Sequence, residues 1–360
     1  MNTPLENPIR VLVVDDSIVM RTAITRMIES DPELCIAGTA RSGTEAIEKA
    51  IALGPDVITL DVIMPGLNGV ETLKKIMQEV PRPVIMVSSL VQEGAETTLE
   101  ALASGAFDCI AKPQAVSSLD LVNIRDELIA KLKAAHQYGH RGLLRKPAVP
   151  VQHARPTPRL LPQTPPSVVA LGTSTGGPKA LQEILPILPA DLPVGLLIVQ
   201  HMPLGFTGPF ARRLNNLCKI SVREAEHENP IESAVAYVAP AGRHMTVARE
   251  SNSKCVIHLS ELPDKTLHRP SVDVMMQSVA DVYGSLAMGV IMTGMGADGV
   301  EGMKAIAGKG GFTIGQDEAS CTVYGMPRSC AEVPGLLKQV VSLHEIPQQI
   351  VQATRQRRPA

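Results

Sequence analysis

The sequence has no tryptophan, and aromatic residues fill only 2% of its 360 positions. A core must therefore be assembled from Val, Ile, Leu, Ala and Met, and few rings remain on which bases could stack. There is no basic excess either: 34 Lys and Arg stand against 36 Asp and Glu, a formal net charge of -2. Proteins that live on phosphate contacts carry surplus positive charge, which argues against nucleic acid as a partner. Six cysteines (Cys35, Cys109, Cys218, Cys255, Cys321 and Cys330) are scattered without a CxxC pair. That pattern fits reduced thiols rather than disulfides or zinc. No basic segment leads into an apolar run at the N-terminus, and no run approaches the roughly 18 apolar residues of a membrane span. A soluble, cytoplasmic chain with no membrane insertion is expected. With 44% hydrophobic and 19% charged residues it is globular, and its length calls for two or three domains.

What is present is alternation. Residues 11–14 form a continuous apolar run ending in acid, as a strand buried on both faces would. Similar runs at 35–40, 56–60, 83–87 and 107–111 alternate with amphipathic stretches at 18–29, 44–53, 69–78, 94–104 and 119–133. Five βα units predict an α/β domain over residues 1–127, with a five-stranded parallel sheet covered on both faces. Residues 139–166 turn rich in Pro and Arg and lose the apolar period. Residues 128–166 are accordingly expected to be a helix end and a semi-extended linker. A second block, 167–360, alternates again. Strands are expected at 167–171, 194–199, 234–238 and 288–292, and helices at 178–188, 209–216, 271–283 and 300–308. An antiparallel hairpin is expected from 244–249 and 254–259. This block predicts a doubly wound α/β domain with a mixed, mainly parallel sheet.

In an open parallel sheet, chemistry collects at the carboxyl ends of the strands. Asp15 and Asp16 end the first predicted strand, Asp61 the third, Ser88 and Ser89 the fourth, and Lys112 the fifth. Three carboxylates drawn together repel one another unless a divalent cation holds them, and hard oxygen ligands suit Mg2+. A lysine beside them can grip a phosphoryl oxygen. Pro113 is a candidate cis proline fixing that loop. Acids also end strands and cap helices in any α/β fold, Asp16-Ser17 included; a full set at successive strand ends asks for more. The strings Val13-Val-Asp-Asp-Ser17, Asp61-Val-Ile-Met-Pro65, Val87-Ser-Ser89 and Ala111-Lys-Pro113 resemble a flavodoxin-like response-regulator receiver domain. The resemblance implies that Asp61 accepts a phosphoryl group from a histidine kinase and that Asp15 or Asp16 binds Mg2+ together with Asp61. It also implies that Ser88 senses the phosphoryl group by a hydrogen bond and Lys112 pairs with it. Asn68 stands where the family usually has Asp, in a turn that either residue serves.

Gly172-Thr-Ser174-Thr-Gly176 matches a glycine-flanked serine elbow, after a predicted strand and before a predicted helix. Its glycines allow a turn sharp enough to lift the serine Oγ clear of the sheet. A serine needs a base. His201 ends the next predicted strand, and Asp298, just past another, is placed to orient it. Each has a plainer reading: residues 172–177 as a phosphate-binding loop or tight turn, His201 as one of nine histidines, Asp298 as a helix cap. Residues 294–299 also satisfy G-x-G-x-x-G, with Asp317 about twenty residues on, imitating a dinucleotide site. Against that, Asp298 would put a carboxylate where the pyrophosphate must sit. The order Ser174, His201, Asp298 also differs from that of α/β-hydrolases.

The elbow occurs with Gln200-His-Met-Pro203, Gly205-Phe-Thr207, Thr293-Gly-Met-Gly296 and His268-Arg-Pro-Ser-Val-Asp273. Together these closely resemble the methylesterase domain of chemotaxis regulators that demethylate receptors, over about residues 167–345. The resemblance implies that Ser174 attacks the methyl ester of a receptor glutamate, with His201 as general base and Asp298 orienting it. Thr175 and the backbone N–H of Met295 are the implied oxyanion donors. Methanol leaves, no cofactor serves this step, and receptor glutamines are deamidated by the same groups. The implied partners are methyl-accepting chemotaxis receptors as substrate and the chemotaxis histidine kinase as phosphodonor, with the chain a monomer. Arg269 either holds the polar face of a receptor helix or is a plain surface residue. A receiver joined to a hydrolase implies a switch: the unphosphorylated receiver covers the Ser174 cleft, or phosphorylation stimulates directly. The competing outputs are a DNA-binding module, a phosphorylation-regulated dinucleotide oxidoreductase and a non-catalytic adaptor. No helix-turn-helix pattern or basic stripe follows the linker.

Overall fold

The computed structural model describes residues 7–89, 92–112, 118–143, 161–250 and 254–355. The chain divides into two compact units, Met1–Pro150 and Val151–Ala360, each built on its own parallel sheet.

The first unit runs β1 (Ile9–Val14), α1 (Ile18–Glu29), β2 (Leu34–Ala40), α2 (Gly43–Leu53), β3 (Val57–Asp61), α3 (Gly69–Glu79), β4 (Val84–Ser88), α4 (Gln92–Ala103), β5 (Asp108–Ala111) and α5 (Ser118–Leu143). Its strands pair in the order β2-β1-β3-β4-β5, all parallel. Helices on both faces leave Val11, Leu12, Ile58, Leu60, Ile85 and Met86 without exposed surface, which is why these strands read as unbroken apolar runs. Helices begin where the sequence offers a cap. Ser17, Ser42 and Asn68 each accept a backbone N–H at the starts of α1, α2 and α3, and Asn68 completes a capping box with Glu71. The helix expected at 119–133 continues to Leu143, so residues 139–143, expected in the linker, are helical. No proline lies between Pro113 and Pro147, and the glycines at 139 and 142 cost a helix far less than a proline would. Pro113 and most of the expected linker lie outside the described residues.

The second unit runs β6 (Val168–Thr173), α6 (Gly177–Ile184), β7 (Gly195–Gln200), α7 (Thr207–Leu217), β8 (Ser221–Glu224), β9 (Val235–Val238), β10 (His244–Arg249), β11 (Cys255–Ser260), α8 (Val272–Tyr283), β12 (Ala287–Ile291), α9 (Val300–Gly308), β13 (Phe312–Gln316), α10 (Met326–Ala331), β14 (Gln339–Val341) and α11 (Ile346–Thr354). Seven strands form one sheet, in the order β14-β13-β12-β6-β7-β9-β8, and every pairing in it is parallel. The expected mixed sheet is thus two separate sheets. The antiparallel pair β10-β11 stands alone and packs on α8, where Met245, Val247 and Ile257 join the core of the unit.

Both large sheets are wound outward in two directions from their first strand. The order reverses between β1 and β3 in one unit, and between β6 and β12 in the other. Loops leaving such a reversal turn to opposite faces and open a crevice at the carboxyl edge. Among the described residues no helix is long and apolar enough to cross a membrane.

Candidate functional site

β6 and β7 pair in register to their last residues, Thr173 opposite Gln200, so Ser174 and His201 leave the sheet side by side. The His201 N–H donates to the Thr173 carbonyl at 3.2 Å. The Ser174 N–H donates to the Thr293 carbonyl at 3.0 Å, which draws in the loop after β12. Gly176 completes the turn at φ +80, where a Cβ would lie 2.4 Å from the Thr322 side chain. The predicted serine, histidine and aspartate are therefore delivered by three neighbouring strands to the crevice between β6 and β12.

Asp298 is anchored on four sides. Its Oδ1 accepts from Ser271 Oγ and the Asp273 N–H, both at 2.9 Å. Its Oδ2 accepts from the Val272 N–H at 2.8 Å and faces His201 Nε2 at 2.9 Å. Burial alone would raise this carboxyl. The hydrogen bond and charge of His201 and the two amides outweigh it and hold the group well below the usual carboxylate range. The two amides belong to the first turn of α8, so Asp298 caps a helix other than its own. Asp273 returns the arrangement, its Oδ1 accepting the Gly299 and Gly302 N–H groups at 2.9 and 2.7 Å at the start of α9.

An ionised Asp298 requires the His201 proton on Nε2, which leaves the Nδ1 lone pair as the basic position. Nδ1 is buried and has no hydrogen-bond partner among the described residues. This reverses the common triad, in which Nδ1 faces the aspartate and Nε2 the serine. No hydrogen bond joins Ser174 Oγ to His201 among the described residues; such contacts often tighten only when substrate arrives. Of the two expected oxyanion donors, Thr175 is buried, and its carbonyl accepts from Thr293 Oγ1 at 2.9 Å. The Met295 N–H, one residue beyond Gly294, takes no partner among the described residues. A Cβ on Gly294 would lie 2.9 Å from Ser174 Cβ, so only glycine lets this loop close over the serine. Arg269 is half-buried, and its carbonyl accepts the Gly242 N–H.

The dinucleotide reading of residues 294–299 does not survive. Asp273 already takes amides at the start of α9, where a pyrophosphate would dock. Asp317 is tied into its own turn by the Ser320 N–H and hydroxyl.

Two residues were quoted in the sequence strings without a task. The fully buried Gln200 amide donates from Nε2 to both the Ser174 and His201 carbonyls, at 3.0 and 2.8 Å, and so clamps the two loops together. His268 stacks on the His201 ring. Adjacency to His201 and to the cap at Ser271 was their only signal.

In the first unit, the reversal between β1 and β3 brings Asp15 and Asp61, both buried, beside exposed Asp16. One carboxylate oxygen from each lies within 4.8 Å of the others. Lys112 Nζ is 2.7 Å from Asp61 Oδ2 and forms an ion pair with Asp15 Oδ2 at 3.0 Å. Asp15 Oδ1 accepts the Ser17 N–H at 2.8 Å. Burial, opposed by the Lys112 hydrogen bond but reinforced by the Asp15 charge, pushes the Asp61 carboxyl up to about 6. Three carboxylates, two of them paired with Lys112, leave an excess of negative charge, and this donor set fits a hard divalent cation such as Mg2+. Ser88 is fully buried at the end of β4, where its Oγ donates to the Gly94 carbonyl at 3.2 Å.

The CheB methylesterase family model matches residues 169–350, and the response regulator receiver domain model matches residues 11–122. A protein-glutamate methylesterase/protein-glutamine glutaminase of Lawsonia intracellularis is 46% identical over 354 residues, covering 96% of this chain and 99% of the relative. Its counterpart in Symbiobacterium thermophilum is 46% identical over 365 residues, covering 98% and 99%. Among solved structures, the Thermotoga maritima CheB methylesterase catalytic domain is similar at 35% identity and a TM-score of 0.50, over 52% of this chain and 98% of that one. With both family models and nearly the whole length of these relatives matched, the chain belongs to the CheB methylesterase family, with a response regulator receiver domain ahead of its methylesterase domain.

Proposed function

We propose that the chain hydrolyses glutamate methyl esters on methyl-accepting chemotaxis receptors, and deamidates receptor glutamines, at Ser174 under control of phosphorylation at Asp61. The observation that carries this reading is the convergence of three strand ends that sets Ser174 beside His201, with His201 Nε2 held on Asp298 and the loop after β12 bonded to the Ser174 N–H.

Ser174 Oγ attacks the ester carbonyl while His201 Nδ1 takes its proton, and Asp298 stabilises the resulting imidazolium through Nε2. Charge developing on the carbonyl oxygen is met by the Met295 N–H and Thr175, with the N-terminus of α6 adding its dipole. The imidazolium returns the proton to the departing methoxide, and methanol leaves a glutamyl ester on Ser174. Water then attacks that ester with His201 again as base, releasing the glutamate carboxylate and restoring the serine hydroxyl. With a glutamine substrate, ammonia leaves instead.

Residues 1–127 serve as the receiver, 128–166 as the connection and 167–360 as the catalytic domain. Asp61 accepts the phosphoryl group from a chemotaxis histidine kinase, and Asp15, Asp16 and Asp61 hold Mg2+. When bound, the ion neutralises charge on the phosphoryl oxygens. Lys112 pairs with the phosphoryl group, and Ser88 Oγ turns from the Gly94 carbonyl to bond it.

The test is methanol release from a methylated receptor cytoplasmic fragment, with and without Mg2+ and a small phosphodonor. Release should rise with the phosphodonor, vanish in Ser174→Ala and lose its response in Asp61→Asn. A Ser174→Ala enzyme near the wild-type rate would overturn the nucleophile, and indifference to the phosphodonor would overturn the switch.

A further inference from the structure

The reaction as derived gives His268 no task, yet its ring lies face to face with that of His201, centroids 4.1 Å apart and planes at 23°. The stack is supported from behind. His244, fully buried on β10, spends both ring nitrogens on the segment 261–271 that carries His268. Its Nδ1 accepts the Ser271 N–H at 3.2 Å, and its Nε2 faces the Pro263 carbonyl at 3.1 Å and Thr266 Oγ1 at 3.2 Å. The far end of the segment is pinned to Asp298 through Ser271 Oγ. Among the described residues His201 has one side-chain hydrogen bond, Nε2 to Asp298, about which a ring can rock. A second ring held rigidly against its face removes that freedom.

We infer that His268 is a positioning residue: stacked on His201, it fixes the plane of that ring for the proton transfer from Ser174, and it lies against the imidazolium when His201 takes the serine proton. The inference rests on the roles proposed for Ser174 and His201. Burial, and then the Arg269 charge, hold His244 below its ordinary pKa, and the other charged side chains of the segment, Glu261, Asp264 and Lys265, are exposed.

The experiment uses the full-length chain and the methylated receptor fragment, comparing Ser174→Ala, His268→Ala and His268→Phe across pH. NMR relaxation of the His201 ring is recorded alongside. His268→Ala should lower kcat about tenfold with KM little changed, because a loosened base misses its attack geometry. His268→Phe keeps a ring on the same face and should restore most of that loss. The His201 ring should be rigid in the wild type and in His268→Phe and mobile in His268→Ala. Wild-type kcat in His268→Ala, a Phe variant no better than Ala, or a His201 ring as rigid in His268→Ala as in the wild type would each overturn the inference. Retained activity in Ser174→Ala overturns the reaction instead, and the NMR relaxation, which needs no turnover, still decides the stack.

Discussion

Replacing Asp61 with asparagine should stabilise the first unit while removing the proposed phosphoryl acceptor. The carboxylate is 1% exposed, faces Asp15, and shares a single cation, Lys112, with it. Burial first, then the Asp15 charge, outweigh the Lys112 bond and hold the Asp61 carboxyl at about 6, against 3.8 for the free side chain. An acid held above its unfolded value keeps its proton in the folded chain where the unfolded chain has lost it. Folding stability therefore falls as pH rises from about 4 through about 6 and stays at the lower level above. Roughly two pH units at about 1.36 kcal/mol each set an upper figure near 3 kcal/mol. Losing the charge-assisted bond to Lys112 returns part of it, leaving a gain of about 1–2 kcal/mol near pH 7.5. In a unit of this size that amounts to roughly 3–8 °C in Tm. Calorimetry of the full chain in metal-free buffer reads it directly. The gain should shrink towards nothing near pH 4, and Mg2+ should raise the wild-type Tm more than that of the variant. A variant less stable than wild type near pH 7.5, or a gain that ignores pH, would refute the picture of a pocket strained by its own negative charge.

Three further outcomes follow from the geometry. Asp298→Asn should cost roughly 2–4 kcal/mol at neutral pH, since a carboxylate accepting four bonds is replaced by a group that must turn a donor towards donors. The contribution of this depressed acid is present above its unfolded pKa near 4 and lost as pH falls below it, so calorimetry should show the gap closing in acid. The same variant should slow methanol release by roughly three to four orders of magnitude. Gly176→Ala forces a left-handed backbone and a clash with Thr322. It should cost roughly 1–3 kcal/mol, and adding Thr322→Ala should relieve the clash but not the strain, recovering only part of the Tm. Lys112→Met leaves Asp15 and Asp61 uncompensated, so it should destabilise the first unit in metal-free buffer and abolish the response of methanol release to the phosphodonor.

Strands buried on both faces declare themselves: the apolar runs at 11–14, 194–199 and 288–292 correspond to β1, β7 and β12. β13 is just as buried but was not foreseen, because Thr313 and Gln316 break its apolar run. Both are satisfied internally, Thr313 Oγ1 by the Leu336 carbonyl and Gln316 Oε1 by the Thr293 N–H. A buried polar residue whose partner lies in a distant segment cannot be told from a surface one by periodicity. β8 and β14 are edge strands of four and three residues, too short to carry a pattern. At the site, the elbow betrays Ser174, and strand-end position betrays His201, Asp298 and the three receiver acids. The ring nitrogen proposed as base, the Gln200 clamp and the His268 stack depend on how the segment 261–271 and the loop after β12 fold back over β6 and β7. No spacing encodes that.

The four bonds converging on Asp298 have a consequence for the traffic of protons. A carboxylate offers about four lone-pair directions, and here the Ser271 hydroxyl, two helix amides and the His201 ring fill them. A proton arriving on Asp298 would have to evict one of these donors, so in the proposed reaction the serine proton goes to His201 and no further, and the chemical step moves a single hydrogen. In mixed H2O and D2O the esterase rate should fall in a straight line with deuterium content, where a two-proton relay would bend it.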